Sequence, residues 1–257
     1  MVNLKERLVF VTGASSGIGR SCARAFAREG TRLLLAARRV ERLEELAQEL
    51  ESEYGTRSHV LQLDVRDAAA VDVTLAALPS AWRAVDLLVN AAGLARGLAP
   101  IQEGAIRDWD EMIDTNVKGL LYVTRAILPG MLERGCGEVI NIGSIAGHEV
   151  YPSGSVYCAS KYAVRALTQG LRRDLHATPV RVSSVDPGLV ETEFSLVRFH
   201  GDAERARKPY ERTRPLTPDD VAECVLFCAT RPPHVAVAEL VLLSADQSSA
   251  TTIHRRD

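Results

Sequence analysis

The stretch SVYCASKYAV, residues 155–164, holds a tyrosine and a lysine four positions apart. Only four of the 31 basic residues in this chain of 257 are lysines, so lysine is a notable choice at position 161. Residues four apart lie on one face of a helix, which would bring the Tyr157 phenol and the Lys161 ammonium to one cleft. A free tyrosine has a pKa of about 10, and an adjacent ammonium favours the phenolate. The pair therefore predicts proton transfer by Tyr157, with Lys161 lowering the pKa of the phenol.

Two other polar residues could join this chemistry. Ser144 follows the apolar run VINIG, and its hydroxyl could bond a substrate carbonyl and stabilise charge that develops on the oxygen. Asn116 lies inside a long helical pattern, where asparagine is unfavourable. Taken alone, such a serine is more often a turn or cap residue and such an asparagine a tolerated polar one, so the surrounding motifs must decide.

A glycine-rich stretch near the start of the chain could bind phosphate. TGASSGIG places Gly13, Gly17 and Gly19 between an apolar run and a helical pattern. Glycine at these positions permits a sharp turn and the close approach of a pyrophosphate, and the following helix offers free N–H groups and a partial positive charge. A purely structural turn is the alternative, but the position at the first strand–helix junction favours phosphate binding.

Apolar runs alternate with helical patterns along the chain. The runs predict strands at 7–13, 31–39, 58–63, 85–90, 138–143, 180–185 and 239–243. Helical spacing predicts helices at 17–30, 40–55, 67–78, 108–133, 155–176 and 218–229. We expect one α/β domain over residues 1–257, a doubly wound, seven-stranded parallel sheet with helices on both faces. Residues 187–216 are charged and irregular, and we expect them to form a substrate lid within it.

Composition argues against several function classes. The net charge is −2, which gives no electrostatic reason to expect nucleic acid or an anionic membrane as a partner. No segment has the roughly 18 consecutive apolar residues of a membrane span, and the first ten residues show no signal-peptide pattern. The five cysteines contain no CxxC, which favours unpaired thiols in a reducing cytoplasm and no metal site.

Seven short pieces, in the same order along the chain, resemble motifs of the short-chain dehydrogenase/reductase family. They are TGASSGIG (12–19), LDV (63–65), NAAG (90–93), Asn116, INIGS (140–144), YCASK (157–161) and DPGLVETE (186–193). The resemblance covers nearly the full length and implies a Rossmann-like domain, a nicotinamide cofactor, a small-molecule substrate and a homotetramer. One departure is Ala91, which replaces the second asparagine of the family's usual NNAG and removes one hydrogen bond beneath the cofactor.

The end of the second predicted strand distinguishes between the two nicotinamide cofactors. NAD binding requires an acid there to accept from the ribose 2′-OH, but this strand ends with Arg38 and Arg39, and the nearest acid is Glu41 in the next helix. Arginine can pair bidentately with a 2′-phosphate. We therefore predict NADP(H), with Arg38 the stronger candidate and Arg39 the weaker. The alternative is that both arginines only solvate the start of a helix.

The resemblance also implies a role for each matched position. Tyr157 would donate a proton to the substrate oxygen in reduction, Ser144 would orient that oxygen, and Lys161 would hold ribose hydroxyls as well as lower the pKa of the phenol. Asn116 would bond to backbone at a helix kink and hold a water that relays protons towards Lys161. The implied cofactor-binding set is Gly13, Ser15, Ser16, Gly17, Ile18, Gly19, Arg38, Arg39, Asp64, Val65, Asn90, Gly93, Tyr157, Lys161, Pro187, Gly188, Val190 and Thr192.

Longer stretches resemble one branch of the family, the NADP-dependent 3-hydroxy acid dehydrogenases. They are LAARRVERLEEL (35–46), LPSAWRAVDLLVNAAG (78–93), WDEMIDTNVKGLLYVTRAILPGM (109–131) and GLVETEFSLVRFHGD (188–202). The branch oxidises serine, allo-threonine and related short acids at the β-hydroxyl, so a cation is needed for the carboxylate. Arg198 in the predicted lid is the candidate, with a surface salt bridge as its alternative. Arg96 and Arg255 are weaker candidates.

Other functions remain open from the sequence alone. A broad-specificity NADPH carbonyl reductase would use the same motifs without a carboxylate anchor. A non-catalytic NADP-binding protein on this fold would usually have lost the tyrosine or the lysine, which this chain keeps. An epimerase or dehydratase of the related longer architecture fits poorly with the GxxxGxG spacing and the short C-terminal portion. Because fold does not determine function, turnover of NADPH with carbonyl substrates is what separates these classes.

Overall fold

The apolar runs form one parallel sheet. The structure, a computed structural model, describes residues 2–257. The seven strands are β1 (Leu8–Thr12), β2 (Arg32–Ala37), β3 (Ser58–Gln62), β4 (Leu87–Asn90), β5 (Gly137–Ile142), β6 (Val180–Pro187) and β7 (Glu239–Leu242). Their order across the sheet is β3-β2-β1-β4-β5-β6-β7, and each neighbouring pair is parallel. The predicted fold class and all seven predicted strands are confirmed.

Helices cover both faces of this sheet. They are α1 (Gly17–Arg28), α2 (Val40–Tyr54), α3 (Ala68–Ala76), α4 (Ile106–Ile113), α5 (Leu120–Arg134), α6 (Ser155–Asp174), α7 (Phe194–Arg198), α8 (Ala203–Arg207) and α9 (Pro218–Ala229). Strand side chains alternate between the faces, so Val9 and Val11 pack with α1, α2 and α9. Leu8 and Phe10 pack on the other side with α3 and α5. Both faces of β1 are therefore buried, as a parallel sheet requires.

Two segments differ from the sequence prediction. The helix predicted over 108–133 is divided into α4 and α5 by a π-helical turn, Asp114–Gly119, which contains Asn116. The irregular stretch 187–216 contains the short helices α7 and α8; Asp202 caps α8 by accepting from the N–H groups of Glu204 and Arg205. One residue inserted into a helix barely changes the apolar pattern. A helix of five residues is too short to show a clear period.

Membrane-spanning helices and paired cysteines were not expected from the sequence. Over 2–257, no helix has both the length and the apolar character needed to cross a membrane. All five cysteines are unpaired, and three of them, Cys22, Cys158 and Cys228, are buried. The thiols therefore act as packing groups in this structure.

Candidate active site

A cleft of about 290 Å³ lies at the carboxyl ends of the central strands. Loops that leave parallel strands converge at this edge, which is where open α/β sheets bind ligands. Most of the predicted cofactor-binding residues line it: Gly13, Ser15, Ser16, Gly17, Ile18, Gly19, Arg38, Arg39, Asp64, Val65, Gly93 and Thr192. The structure thus brings together residues that follow five different strands.

The glycine loop is shaped to receive a phosphate group. Gly13 has a φ of 67°, and a Cβ there would lie 2.8 Å from the Cα of Ala92. A Cβ on Gly19 would lie 2.4 Å from the carbonyl oxygen of Gly13. Helix α1 begins at Gly17, and within the described chain Ser16 makes no side-chain capping bond to it. The bare loop and the uncapped N–H groups of α1 therefore fit the pyrophosphate of a dinucleotide.

The two arginines at the end of β2 differ in how strongly they are held. The Arg39 guanidinium donates to Ser16 Oγ at 2.8 Å and to a Glu193 carboxylate oxygen at 2.9 Å. Arg38 is half exposed, and its one ion pair among the described residues is a 3.8 Å approach to Glu111. A phosphate that pairs with Arg38 would have to displace only this weak contact with Glu111. The geometry therefore favours Arg38 as the main 2′-phosphate contact.

We expect Arg38→Asp to raise the KM for NADP by about 10-fold or more, because it replaces a charge-assisted hydrogen bond with a repulsion. The KM for NAD should change far less. Steady-state kinetics with both cofactors measures this ratio. Arg57→Asp is the matched control, because Arg57 is exposed, pairs with Glu6 at 2.6 Å and lies outside the cleft lining. Equal effects of Arg38→Asp on the two cofactors would contradict the assignment.

Several other predicted cofactor residues lie behind the cleft surface. Asn90 is buried at the end of β4, where its amide donates to Thr124 Oγ1 and to Asn141 Oδ1, both at 2.9 Å. Pro187, Gly188 and Val190 also lie outside the lining, and Gly188 donates its N–H to the Leu242 carbonyl at 2.8 Å. These four residues therefore support the edge of the cleft from within the fold.

The acid–base candidates meet where β5 ends beside α6. Tyr157 lies in the first turn of α6 and is 8% exposed, with its ring edge-on to Phe194 at 5.5 Å between centroids. Lys161, one turn later, is also buried and donates to the Ile142 carbonyl at 2.9 Å. Ser144, two residues after Ile142, accepts from the N–H of Ala146. The predicted tyrosine, lysine and serine thus share one site.

The pKa of Tyr157 differs from the sequence prediction. We predicted that Lys161 lowers it, but burial raises the pKa of Tyr157 far above its usual value, and the nearby Tyr151 adds to the rise. A polar contact with Ser144 and the charge of Arg198 oppose it in part. Burial wins because the phenolate would lose its hydration, while the Lys161 ammonium is bonded to a backbone carbonyl. The phenol therefore stays protonated through neutral pH.

Asn116 links the acid–base site to the strand end that carries Gly93. Its Oδ1 accepts from the Leu94 N–H at 2.8 Å, and its Nδ2 donates to the Leu94 carbonyl at 2.8 Å and to Ser160 Oγ at 3.0 Å. A Cβ on Gly93 would lie 3.4 Å from Asn116 Oδ1 and 3.7 Å from Lys161 Nζ. The side chain therefore fixes the backbone between the cleft and Lys161, at the π-helical turn.

A second cavity of about 210 Å³ adjoins the Tyr157 side of the site. It is lined by residues of the 96–112 region, by 153–157 and by two arginines of the irregular stretch 187–216, Arg198 and Arg205. The guanidinium of Arg198 lies 5.2 Å from the Tyr157 ring centroid, 5.5 Å from that of Tyr151 and 5.6 Å from that of Phe194. Arg198 thus places a cation beside the Tyr157 ring, next to the second cavity.

The weaker anion-binding candidates are already paired. Arg96 donates from Nε to Glu111 at 2.7 Å and from Nη1 to the Val197 carbonyl at 2.7 Å. Arg255 donates to the backbone carbonyls of Pro209 and Glu211. Because these guanidinium groups are bound within the protein, neither fits a substrate carboxylate as well as Arg198 does.

One group of potential metal ligands occurs in the described chain. Ligand atoms of His148, Asp186 and Glu239 lie within 4.8 Å of one another. His148 Nε2 donates to an Asp186 oxygen at 2.8 Å, while Arg165 and Gln169 bond to Glu239. The three residues therefore satisfy one another and their neighbours by hydrogen bonds.

The sequence analysis missed three residues at this site. Tyr151 and Phe194 form part of the aromatic surroundings of Arg198, and Glu193 joins Arg39 to the start of α7. Tyr151 has no clear signal in the sequence, because the contact that requires glycine at position 154, where a Cβ would lie 1.9 Å from the Tyr151 ring, exists only in the folded chain. Phe194 and Glu193 have none either, because a charged or aromatic residue in an irregular stretch is ordinary.

The chain is similar to known proteins over most of its length. The family model described as short chain dehydrogenase matches residues 7–201. The chain is 48% identical over 251 residues to the NADP-dependent 3-hydroxy acid dehydrogenase YdfG of Escherichia coli K12, covering 97% of this chain and all of that protein. It is 48% identical to sulfoacetaldehyde reductase 2 of Chromohalobacter salexigens, covering 96% and 98%. A structure of serine dehydrogenase in its closed form with NADP⁺ superposes with a TM-score of 0.90 at 48% identity, covering 97% and 100%.

Proposed function

This chain belongs to the short chain dehydrogenase family, and on that premise we propose that it is an NADP(H)-dependent 3-hydroxy acid dehydrogenase. The reaction would transfer a hydride between the nicotinamide and the carbon that bears the hydroxyl or carbonyl oxygen. Serine, allo-threonine and 3-hydroxypropionate represent the substrate class. The relatives named above support the cofactor and the class of acid. The observation that carries the proposal in this chain is the position of Arg198 beside Tyr157.

The surroundings of Arg198 suit a carboxylate. Its Nη2 donates to Tyr151 Oη at 2.5 Å, and its Nε is buried with no hydrogen-bond partner in the part of the chain that the structure describes. A buried donor without a partner is costly, and a carboxylate would accept from Nε and from the guanidinium together. In a 3-hydroxy acid, one carbon separates the carboxylate from the carbon that bears the hydroxyl. A hydroxyl at Tyr157 therefore leaves the carboxylate within reach of Arg198.

Each acid–base residue has a specific role in the proposed reaction. Bound NADP would supply the hydride acceptor or donor. Tyr157 holds its proton at neutral pH, so it can donate that proton to the substrate oxygen during reduction, whereas oxidation would require its phenolate form to accept the proton of the substrate hydroxyl. Ser144 orients that oxygen, and Lys161 places a positive charge behind the phenol. Asn116 fixes the Gly93–Leu94 backbone against which Lys161 lies.

Two alternatives follow from particular observations. The guanidinium of Arg198 recognises anions in general, and one relative is named a sulfoacetaldehyde reductase, so a short sulfonated aldehyde is a second candidate substrate. A broad-specificity NADPH carbonyl reductase would accept uncharged ketones equally well. In that case Arg198 would serve only to pack against the three aromatic rings.

We expect Arg198→Ala to lower kcat/KM for 3-hydroxypropionate by about 10-fold to 100-fold, the effect of losing a charge-assisted hydrogen bond. For 1-propanol, which lacks the carboxylate, kcat/KM should change little. Arg205→Ala is the matched control, because Arg205 lines the same cavity but stacks on Phe199 at 4.6 Å.

Comparison of 3-hydroxypropionate, 2-hydroxyethanesulfonate and 1-propanol then separates the substrate classes. A preference for the sulfonate over the carboxylate would favour the sulfonated substrate. No advantage of either anion over propanol in the unmodified enzyme would favour the carbonyl reductase. If kcat/KM for the anionic substrates still exceeds that for propanol in Arg198→Ala, the substrate class is supported but Arg198 does not bind the anion.

We further propose that the enzyme is a cytoplasmic homotetramer. Unpaired cysteines suit a reducing compartment. Exposed apolar side chains on α5, α6 and β7 offer surface for subunit contacts: Leu121, Leu132, Tyr162 and Val241. Light scattering should give about four times the chain mass of 28.0 kDa. A mass of one chain would contradict this assembly.

A further inference from the structure

A buried carboxylate lies close to the buried lysine of the acid–base site. Asp186 is the seventh residue of β6, and β5 and β6 pair so that Ile142 lies opposite Val185. Lys161 donates to the carbonyl of Ile142. A Cβ on the next residue, Gly143, would lie 1.8 Å from Asp186 Oδ1. The ammonium and the carboxylate therefore contact consecutive residues at the end of β5.

This carboxylate is held in place from two sides. Ser184 Oγ donates to Oδ1 at 2.8 Å, and His148 Nε2 donates to Oδ2 at 2.8 Å. The Asp186 side chain is 3% exposed, and that of His148 is 17% exposed, so the ring covers the carboxylate on its outer side. Tyr162 in turn fixes the backbone of His148 by donating to its carbonyl at 2.6 Å.

A buried ammonium with one hydrogen bond to a neutral carbonyl needs a compensating charge, because the protein interior solvates an ion poorly. Tyr157 and Lys161 share one face of α6, and the phenol is neutral there. The Asn116 amide and the Lys161 ammonium both lie close to Gly93, and this amide is also neutral. Glu239 on β7 is bonded to Arg165 of α6, so its charge is balanced locally. Asp186 remains as the acid that can compensate Lys161.

We propose that Asp186 is a positioning residue of the reaction, whose charge keeps the Lys161 ammonium protonated while Tyr157 exchanges its proton with substrate. The role rests on the proposed function, because it acts through Lys161 and makes no contact with the reacting atoms. His148 and Ser184 serve it by fixing the carboxylate against Gly143.

The titration of Lys161 agrees with this geometry. Burial lowers the pKa of Lys161 to about 8, and the charge of Asp186 is what opposes the fall. The lysine is therefore protonated below about pH 8 and loses its charge as the pH rises through that value. Reduction, which requires a charged Lys161, should decline over the same range.

The scarcity of lysine makes a direct test practical. Protein labelled with ¹³C at lysine Cε gives signals from Lys5, Lys118, Lys161 and Lys208 only, and the signal lost in Lys161→Arg identifies position 161. In the unmodified protein that signal should titrate near pH 8. In Asp186→Asn, which is neutral and of the same size, it should titrate about one unit lower. Glu239→Gln is the control and should leave the Lys161 titration unchanged.

Activity provides the second measurement. The alkaline limb of kcat/KM for carbonyl reduction should move down by about one pH unit in Asp186→Asn and stay in place in Glu239→Gln. A purely structural role would lower activity evenly at all pH values. An unmoved Lys161 signal in folded Asp186→Asn would overturn the inference, as would a Lys161 signal near pH 10 in the unmodified protein. If the signal moves and the activity limb does not, the inferred link to the reaction is overturned. A wild-type rate that is insensitive to the charge of Lys161 would overturn the catalytic role proposed for that lysine.

Discussion

Tyr157→Phe is expected to lower kcat by about 1,000-fold or more while the affinity for NADPH stays nearly unchanged. The substitution removes one oxygen atom, the proton donor of the proposed reaction. The ring can keep its edge-on packing against Phe194 and its place beneath Arg198. Steady-state rates give kcat, and quenching of NADPH fluorescence gives the affinity.

Tyr151→Phe is the matched control for this change. Tyr151 also interacts with Arg198, but its hydroxyl bonds to the guanidinium. We expect that variant to raise the KM for the acid with little effect on kcat. Substantial turnover by Tyr157→Phe would require another proton donor in the site, and equal losses of kcat in the two variants would remove the distinction between the two tyrosines.

Lys161→Arg is expected to lower kcat/KM by about 100-fold or more, although it keeps the positive charge. Lys161 is 7% exposed and lies 3.7 Å from where a Cβ on Gly93 would be. A planar guanidinium is longer and broader than an ammonium, so it would have to displace the Gly93 backbone or turn away from Ile142.

Lys118→Arg serves as the control for the effect of the substitution itself. Lys118 is exposed and pairs with Asp114 one turn away, a surface contact that arginine can also make. Its activity should match that of the unmodified enzyme. If Lys161→Arg were equally active, the choice of lysine at this position would have no chemical basis in the reaction.

The sequence predicted the fold because its signals were strong and repeated. Each strand is an apolar run, and helix α9 was predicted with its observed ends, where Thr217 forms a capping box with Asp220. The glycine loop also has a strong signal, the spacing of its glycines. The structure shows why glycine stands there: contacts at Gly13 and Gly19 exclude a side chain. The apolar pattern gave no sign of the π-helical turn around Asn116, because one extra residue in a helix leaves that pattern almost unchanged, and only the family resemblance implied a kink there.

The electrostatics of the site could not be predicted in the same way. Spacing brought Tyr157 and Lys161 to one cleft, but it contains no measure of how deeply each group is buried. Burial lowers the pKa of the lysine and raises that of the tyrosine, and the second shift is opposite to the one expected from an adjacent ammonium alone. The sequence also could not link Asp186 to Lys161. It is close to Lys161 only because β5 and β6 are adjacent in the sheet.

The contacts of Glu193 connect the binding of a phosphate at Arg39 with the binding of an anion at Arg198. Glu193 accepts from Arg39 and from Arg42, and it directly precedes helix α7, which carries Arg198. A phosphate that recruits Arg39 competes with Glu193 for that guanidinium and so loosens one attachment of α7. By linkage, the position of α7 in turn alters the affinity for the phosphate. The affinities for the phosphate-bearing coenzyme and for a ligand of Arg198 should consequently depend on each other, by the same factor in either direction.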